Sequence, residues 1–407
     1  MAAPLFPPTT PDAWRAAAEA SLKGKAFDSL VRTTEDGIER GPLFREREGE
    51  DAPARSSAAT PPPAFADRAW HIVAPVRARS PAKANAQLLE DLLGGCSALR
   101  IEADGMELAR ATDLERALEG VHLDFTPVLV APESRNREVA DWLADIALPK
   151  NATVHLGLDP AELESLPRTL PASWRALTLA PGKVHELGGG PVLELAAMAA
   201  QTAAALRKFG ADAARHLCIE LAFDTDAHIG TAKLRAARRM LATIVDAFGS
   251  EDKAVIHAVS SARMMQAQDP WMDIVRLCSA GFAAVAGGAD YVMLRPFTEA
   301  MGASSPFAHR VSRNLQNLML DESHLGAVRD PAAGSYWHES LTERLGQRAW
   351  GNFQDIERRG GWEAYVAGGG LASDLEADRA ARTDRPIVGV TLHPRPDTVP
   401  MPEMSDA

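Results

Sequence analysis

Three short stretches of this chain gather side chains able to do chemistry. His185 stands in KVHELGGGPVLELA. A histidine there can serve as a general acid or donate a hydrogen bond to a substrate carbonyl. The glycines behind it, Gly188–Gly190, allow a tight turn or the close approach of a ligand. The plainer alternative is a histidine bonded to neighbouring loops. Asp224, Asp226 and His228 lie in FDTDAHIGTAKLRAARR. Alternating acids and a histidine suggest a metal ion. A short acidic loop running into a helix is more simply a cap that places negative charge at the helix N-terminus, so no metal site is expected. Ser260, Ser261 and Arg263 form the third stretch; an arginine can clamp a carboxylate or phosphate bidentately, or pair with an acid such as Asp269. The basic tracts Arg235–Arg239 and Arg358-Arg359 read as solvated helix faces. No nucleophile elbow, phosphate loop, zinc pattern or kinase set is present.

The elements that must position these residues are legible as a repeat. Short apolar runs recur at intervals of roughly 25–40 residues, most followed by an Ala/Leu-rich stretch with helical spacing. The expected strands are Trp70–Val76, Ala98–Glu102, Pro127–Ala131, Thr153–Leu158, Ala176–Ala180, Leu217–Phe223, Ala254–Val259 and Tyr291–Arg295. Eight strands alternating with helices predict a closed (β/α)8 TIM barrel of the α/β class, with a doubly wound open sheet as the alternative. In such a barrel the C-terminal strand ends carry the site, which is where His185, Asp224 and the Ser260–Arg263 turn would fall. A ninth apolar run, Leu325–Arg329, blurs the count, and a helix rich in Leu, Arg and Glu runs from Leu341 to Gly361.

Outside the barrel, four regions are expected. Residues 1–44 form an extended and helical N-terminal arm. Its helix is signalled by Thr10, Pro11 and Asp12 and by Trp14, Ala18 and Leu22 at helical spacing, with a turn at Asp36-Gly37. Residues 45–67 are a Pro/Ala-rich linker, so the arm is tethered to the body, not fused to it. The barrel with its trailing helices spans 68–385, and 386–407 is a Pro-rich tail, either without fixed structure or wrapped on a partner.

The chain has 407 residues, 46% hydrophobic and 24% charged, enough for a sizeable core. A net charge of −12 argues against nucleic-acid and membrane partners. No apolar run reaches the length of a membrane span, and the start MAAPLFPPTT lacks the features of a signal peptide. Cys96, Cys218 and Cys278 are far apart beside apolar runs and read as buried thiols in a reducing, cytoplasmic setting.

Several segments together resemble the methylmalonyl-CoA mutase family, and its small (β) subunit in particular: WRAAAEASLKGKAFDSLVRTTEDGIERGPLF, HLGLDP, HELGGGPVLELA, AKLRAARRM, SARMMQAQDPW, GFAAVAGGADYVMLRPF, SRNLQNLMLDESHLGAVRDPAAGSYWHESL and AWGNFQDIERRGGW. The resemblance implies a (β/α)8 barrel that threads an acyl-CoA along its axis, and a radical interconversion of methylmalonyl-CoA and succinyl-CoA in propionate metabolism, in which adenosylcobalamin supplies the chemistry. It also marks departures. The first strand, RAWHIVAPVRARSPAKAN, has Val73–Val76 where catalytic members carry an Arg-Gln-Tyr-Ala cluster; the only tyrosines here are Tyr291, Tyr336 and Tyr365. His185 matches the family histidine, but Val184 replaces the tyrosine before it. His257 is kept in IHAVSSA, with Val259 in place of a glutamine. Val184, Val259 and Trp174 are candidates to fill the channel. The stretch Asp226-Ala-His228-Ile-Gly230 fails as a cobalamin signature, since one residue instead of two separates His228 from Gly230, and the sequence ends soon after RPIVGVTLHP, where the family joins its cobalamin domain.

The resemblance therefore implies a β subunit with no intact catalytic set, His185 being vestigial, and with Arg263, His257 and Ser260 as residual substrate contacts. Adenosylcobalamin is expected on the partner, a catalytic large (α) subunit in a heterodimer, with Trp14, Leu22, Phe27 and Leu30 anchoring the arm on it. Alternatives are an acyl-CoA-binding subunit of a split mutase and a stand-alone CoA-binding or scaffold barrel.

Overall fold

The computed structural model describes residues 9–44, 68–166, 170–302, 304–382 and 386–404. The linker 45–67 lies outside the described residues. Helix α1 (Pro11–Ser21) starts where Thr10 accepts a hydrogen bond from the Ala13 amide at 3.2 Å, with Pro11 in its first turn. A small hairpin follows, β1 (Arg32–Thr33) against β2 (Glu39–Arg40), antiparallel around Asp36-Gly37.

The body is a closed barrel of eight parallel strands: β3 (His71–Val76), β4 (Ala98–Ile101), β5 (Val128–Val130), β6 (Val154–Leu158), β7 (Trp174–Leu179), β8 (Leu217–Phe223), β9 (Val255–Ser260) and β10 (Tyr291–Met293). Neighbours in sequence are neighbours in the barrel, and β10 closes on β3. The strands read as mostly apolar runs because parallel strands are buried on both faces. The fold is the expected TIM barrel. The run Leu325–Arg329 is no ninth strand; Leu325–Ala327 is a single 3-10 turn.

Helices α2 (Pro81–Leu93), α3 (Ala111–Ala117), α4 (Asn136–Asp145), α5 (Gly182–Glu186), α6 (Pro191–Phe209), α7 (Ala227–Ala247), α8 (Pro270–Gly287) and α9 (Pro306–Asn317) connect the strands or ring them. Then come α10 (Tyr336–Arg358), α11 (Trp362–Ala367) and α12 (Gly370–Ala381). Local chemistry sets their ends. Ser80 caps α2 through the Lys83 amide, Asp226 caps α7 through the Ile229 amide at 3.1 Å, and Gly288 ends α8 in the left-handed region. Gly157 sits at φ +70°, where the β6–β7 register shifts; a Cβ there would lie 2.5 Å from the Val130 carbonyl oxygen.

The basic tract on α7 is not a solvated face. Arg235 is fully buried, with Nε 3.1 Å from Asp330, Nη2 2.7 Å from Glu339 and Nη1 2.9 Å from Thr342, tying α7 to α10. Arg238 is also buried and meets Asp290 at 2.6 Å. Helix packing sets guanidiniums inward here because each finds a carboxylate, which offsets its desolvation. Cys96 and Cys218 are buried thiols, but Cys278 is exposed on α8.

The arm departs from a purely tethered segment. Helix α1 buries no residue, yet Ile38 in the hairpin is 2% exposed and belongs to the main core. Arg40 pairs with Asp226 at 2.8 Å, Arg382 on α12 with Glu35 at 3.0 Å, and Arg348 on α10 donates to the Gly37 carbonyl at 3.1 Å. Residues beyond Pro394 pack on the chain itself: the Trp271 indole N–H donates to the Pro400 carbonyl at 2.8 Å.

Candidate functional site at the barrel mouth and lumen

Strand alternation aims Val73, Ala98, Leu129, Cys218, Val255, Val259, Tyr291 and Met293 into one cluster apart from the outer core. The same parity carries Arg77, Arg100, Glu102, Glu220, His257 and Arg295. These charged groups form a continuous ladder. His257 Nδ1 lies 3.3 Å from Glu220; Arg100 donates to both oxygens of Glu220, at 3.1 and 3.0 Å, and also to Glu102. Arg77 Nε is 2.8 Å from Glu102, and Glu299 takes Arg77 and Arg295 at 2.5 Å each. Toward the other end of the strands, His71 stacks on Tyr291 and His155 meets the same ring edge-on, with centroids 5.3 and 5.1 Å apart. His71, His155, His257, Arg100, Tyr291 and Met293 are all buried. The barrel axis is thus occupied by paired side chains.

Electrostatics follow from that pairing. Burial alone would raise the Glu220 carboxyl, but Arg100 and His257 overcome it and bring it down to about 2. Burial lowers His257 below its usual range despite Glu220 beside it.

At the C-terminal mouth, β7 delivers His185 on α5. Its Nε2 lies 3.1 Å from the Ser261 hydroxyl and 3.9 Å from Asp224, and its Nδ1 4.0 Å from Glu194. Burial, then the charges of Lys233 and Arg263, hold its pKa well below the ordinary value, so the ring is neutral at pH 7. Glu194 is engaged elsewhere: it accepts from Lys233 at 2.7 Å and from the Ala222 amide at 2.8 Å. Glu186 accepts from the amides of Ala262 and Arg263, pinning the turn after β9. The Arg263 guanidinium donates to the carbonyls of His185 at 2.9 Å and Gly189 at 3.3 Å, and not to Asp269. The His185–Ser261 spacing resembles a base and its hydroxyl, but each residue is 1% exposed. What this arrangement does is lock three loops together.

The predicted residues thus separate. His185 and Arg263 meet at the mouth, while His257 lies in the lumen on Glu220. The Ser260 hydroxyl accepts from the Arg295 amide at 2.8 Å. Of the channel candidates, Val259 points into the lumen; Val184 packs with Leu193 and Leu375, and Trp174 with the outer core. On the arm, Trp14 and Phe27 meet edge to face at 6.1 Å, and Trp14, Leu22, Phe27 and Leu30 are each half-buried. The residues not foreseen are Arg100 and Glu220. A charged residue at an inward position of an apolar strand is the signal that marks them.

The three residues weighed as metal ligands diverge. Asp224 turns to His185 and Arg263, Asp226 caps α7, and His228 lies 3.1 Å from His338 with its ring over Trp337. His228 is therefore engaged by its neighbours on α10.

Fold and site define a (β/α)8-barrel protein whose axis is closed by its own ion-paired side chains. The family model described as methylmalonyl-CoA mutase matches residues 167–399. A probable methylmalonyl-CoA mutase small subunit of Mycobacterium tuberculosis is 35% identical over 353 residues, covering 77% of this chain and 57% of the relative. Small subunits from Streptomyces virginiae and Propionibacterium freudenreichii subsp. shermanii are 32% and 30% identical over 96% of this chain, covering 71% and 69% of the relatives. This chain belongs to the methylmalonyl-CoA mutase family. It spans 57% of the length of the mycobacterial relative. Among the described residues no helix is long and apolar enough to cross a membrane.

Proposed function

We propose that this chain serves as the small subunit of an adenosylcobalamin-dependent methylmalonyl-CoA mutase and carries out no chemistry itself. The observation that carries this reading is the lumen: Arg100, Glu220 and His257, bonded to one another, stand where an acyl-CoA would have to pass. Opening that passage would leave buried charges without partners, which costs several kcal/mol per ion. The partner is a catalytic large subunit, on which adenosylcobalamin supplies the radical chemistry. This chain contributes a rigid barrel and an arm whose Trp14, Leu22, Phe27 and Leu30 offer apolar surface to that partner.

The test is reconstitution with the catalytic large subunit from the same source. Light scattering should report a 1:1 complex, and conversion of methylmalonyl-CoA to succinyl-CoA with adenosylcobalamin should survive His185→Ala in this chain. Loss of turnover in an intact complex carrying that variant would assign His185 a part in the chemistry and overturn the reading, as would failure to form a complex.

A further inference from the structure

A cleft of about 640 Å3 opens at the C-terminal ends of β5, β6 and β7, beside the His185 helix α5, whose Lys183 and Val184 line it. Its volume is that of a small-molecule site. Five carboxylates line it, from Asp104, Glu133, Asp159, Glu162 and Glu363, against one ammonium, that of Lys183. Lys183, whose Nζ donates to the Pro132 carbonyl at 2.5 Å, offsets one of these five charges and leaves the lining negative. Three of the acids have local work: Asp104 accepts from the Ser134 hydroxyl at 2.8 Å, Asp159 caps the Ala161 amide at 2.8 Å, and Glu133 accepts from the Asp104 amide at 3.3 Å. Glu133 is held above the ordinary carboxylate range, first by burial and then by the charge of Glu102.

An independent observation points the same way. Asn136, at the start of α4, lines this cleft and is 3% exposed. Its Nδ2 donates to the Gly157 carbonyl at 2.8 Å, while its Oδ1 is buried without any partner. A buried acceptor left unpaired costs about 1–3 kcal/mol, and a ligand donor removes that cost. The unpartnered Asn136 acceptor beside an excess of carboxylates favours a ligand that donates hydrogen bonds and carries positive charge. Among the described residues no three His, Cys, Asp or Glu side chains converge closely enough to hold a metal ion. Acids spread along a cleft, with the half-exposed Trp362 ring in its wall, suit an extended cation carrying methylenes.

We propose that this cleft binds an organic ammonium ion of the alkyl-polyamine class, its N–H groups on Asn136 Oδ1 and the carboxylates of Glu133 and Glu162, its methylenes along Trp362. The inference stands whether or not the chain serves as a mutase subunit. Spermidine is the probe, titrated calorimetrically into the full chain at physiological salt. Saturable 1:1 binding is expected, weakened about tenfold or more by Glu133→Gln and by the pair Glu162→Gln and Glu363→Gln. The latter two residues are exposed, so their variants are expected to fold. The pair Glu251→Gln and Glu376→Gln removes the same charge elsewhere and should leave binding unchanged. No saturation, equal weakening by that control pair, or tighter binding of Mg2+ than of spermidine at the same residues would each overturn the proposal.

Discussion

Glu220 carries the heaviest electrostatic demand in the lumen, since one carboxylate answers both Arg100 and His257. Its pKa in the folded barrel, about 2, lies below the ordinary value of 4.5. A depressed carboxyl stabilises the fold above its unfolded value and gives that stability up as pH falls toward the folded one. The protein should therefore lose stability steadily from about pH 5 to pH 2. Glu220→Gln should cost about 3 kcal/mol at pH 7, because Arg100 keeps only Glu102 as a charged partner, and should flatten the acid limb. Urea unfolding of both proteins at pH 7 and pH 3.5 decides this. Parallel losses of stability on acidification would show that the Arg100–Glu220 pair is not what senses acid.

The hairpin β1–β2 and helix α12 meet at the N-terminus of α6. Asp36 accepts there from the Val192 amide at 3.3 Å and Asp378 from the Gly190 amide at 2.8 Å; a Cβ on Gly190 would come within 2.5 Å of Asp36. Burial, and the nearby charges of Glu35 and Asp378, push Asp36 up to about 7 in spite of Arg348. A raised carboxyl favours the fold while protonated, so this contribution is full below about pH 4 and fades as pH rises through 7. Asp36→Asn keeps the acceptor and removes the charge. It should match the parent at about pH 3.5 and exceed it by on the order of 2 kcal/mol at pH 8, read by thermal or urea unfolding. Equal stabilities at pH 8 would mean the hairpin does not feel that charge. Such a clasp shows what a sequence conceals. The barrel strands were legible because burial on both faces makes them mostly apolar, and the caps because Thr10 and Asp226 stand directly before their helices. Asp36 and Asp378 are separated by most of the chain, and only the closed barrel brings them to one helix end. For the same reason Arg100 and Glu220 each carry a signal as a charge at an inward strand position, while their pairing across four strands does not show in the sequence. Trp174 and Arg175 extend β7 beyond the expected start at Ala176, because they pair with Val154 and His155 and Arg175 donates to the carbonyl of Arg215.

For the molecule as a whole, the arm divides into a part that belongs to the barrel and a part that offers surface. Ile38 enters the main core, and Glu35, Gly37 and Arg40 are each bonded to the body. Upstream of Val31, by contrast, no described residue is buried, and Trp14 meets Phe27 within the arm. Folding of the barrel and recognition by a partner should then respond to different truncations. Removing residues 1–30 should leave the unfolding free energy within about 0.5 kcal/mol of the parent, since it uncovers no core. It should weaken assembly with the catalytic subunit by about tenfold or more, since it deletes the aromatic and leucine anchors. Removing residues 1–44 should in addition cost about 3 kcal/mol or more, the sum of an emptied Ile38 site and severed ion pairs. Denaturant unfolding and titration by light scattering on the two truncated chains separate these effects. If the shorter truncation bound the large subunit with unchanged affinity, the arm would be no partner anchor, and the exposed α1 face would have to be explained by some other contact.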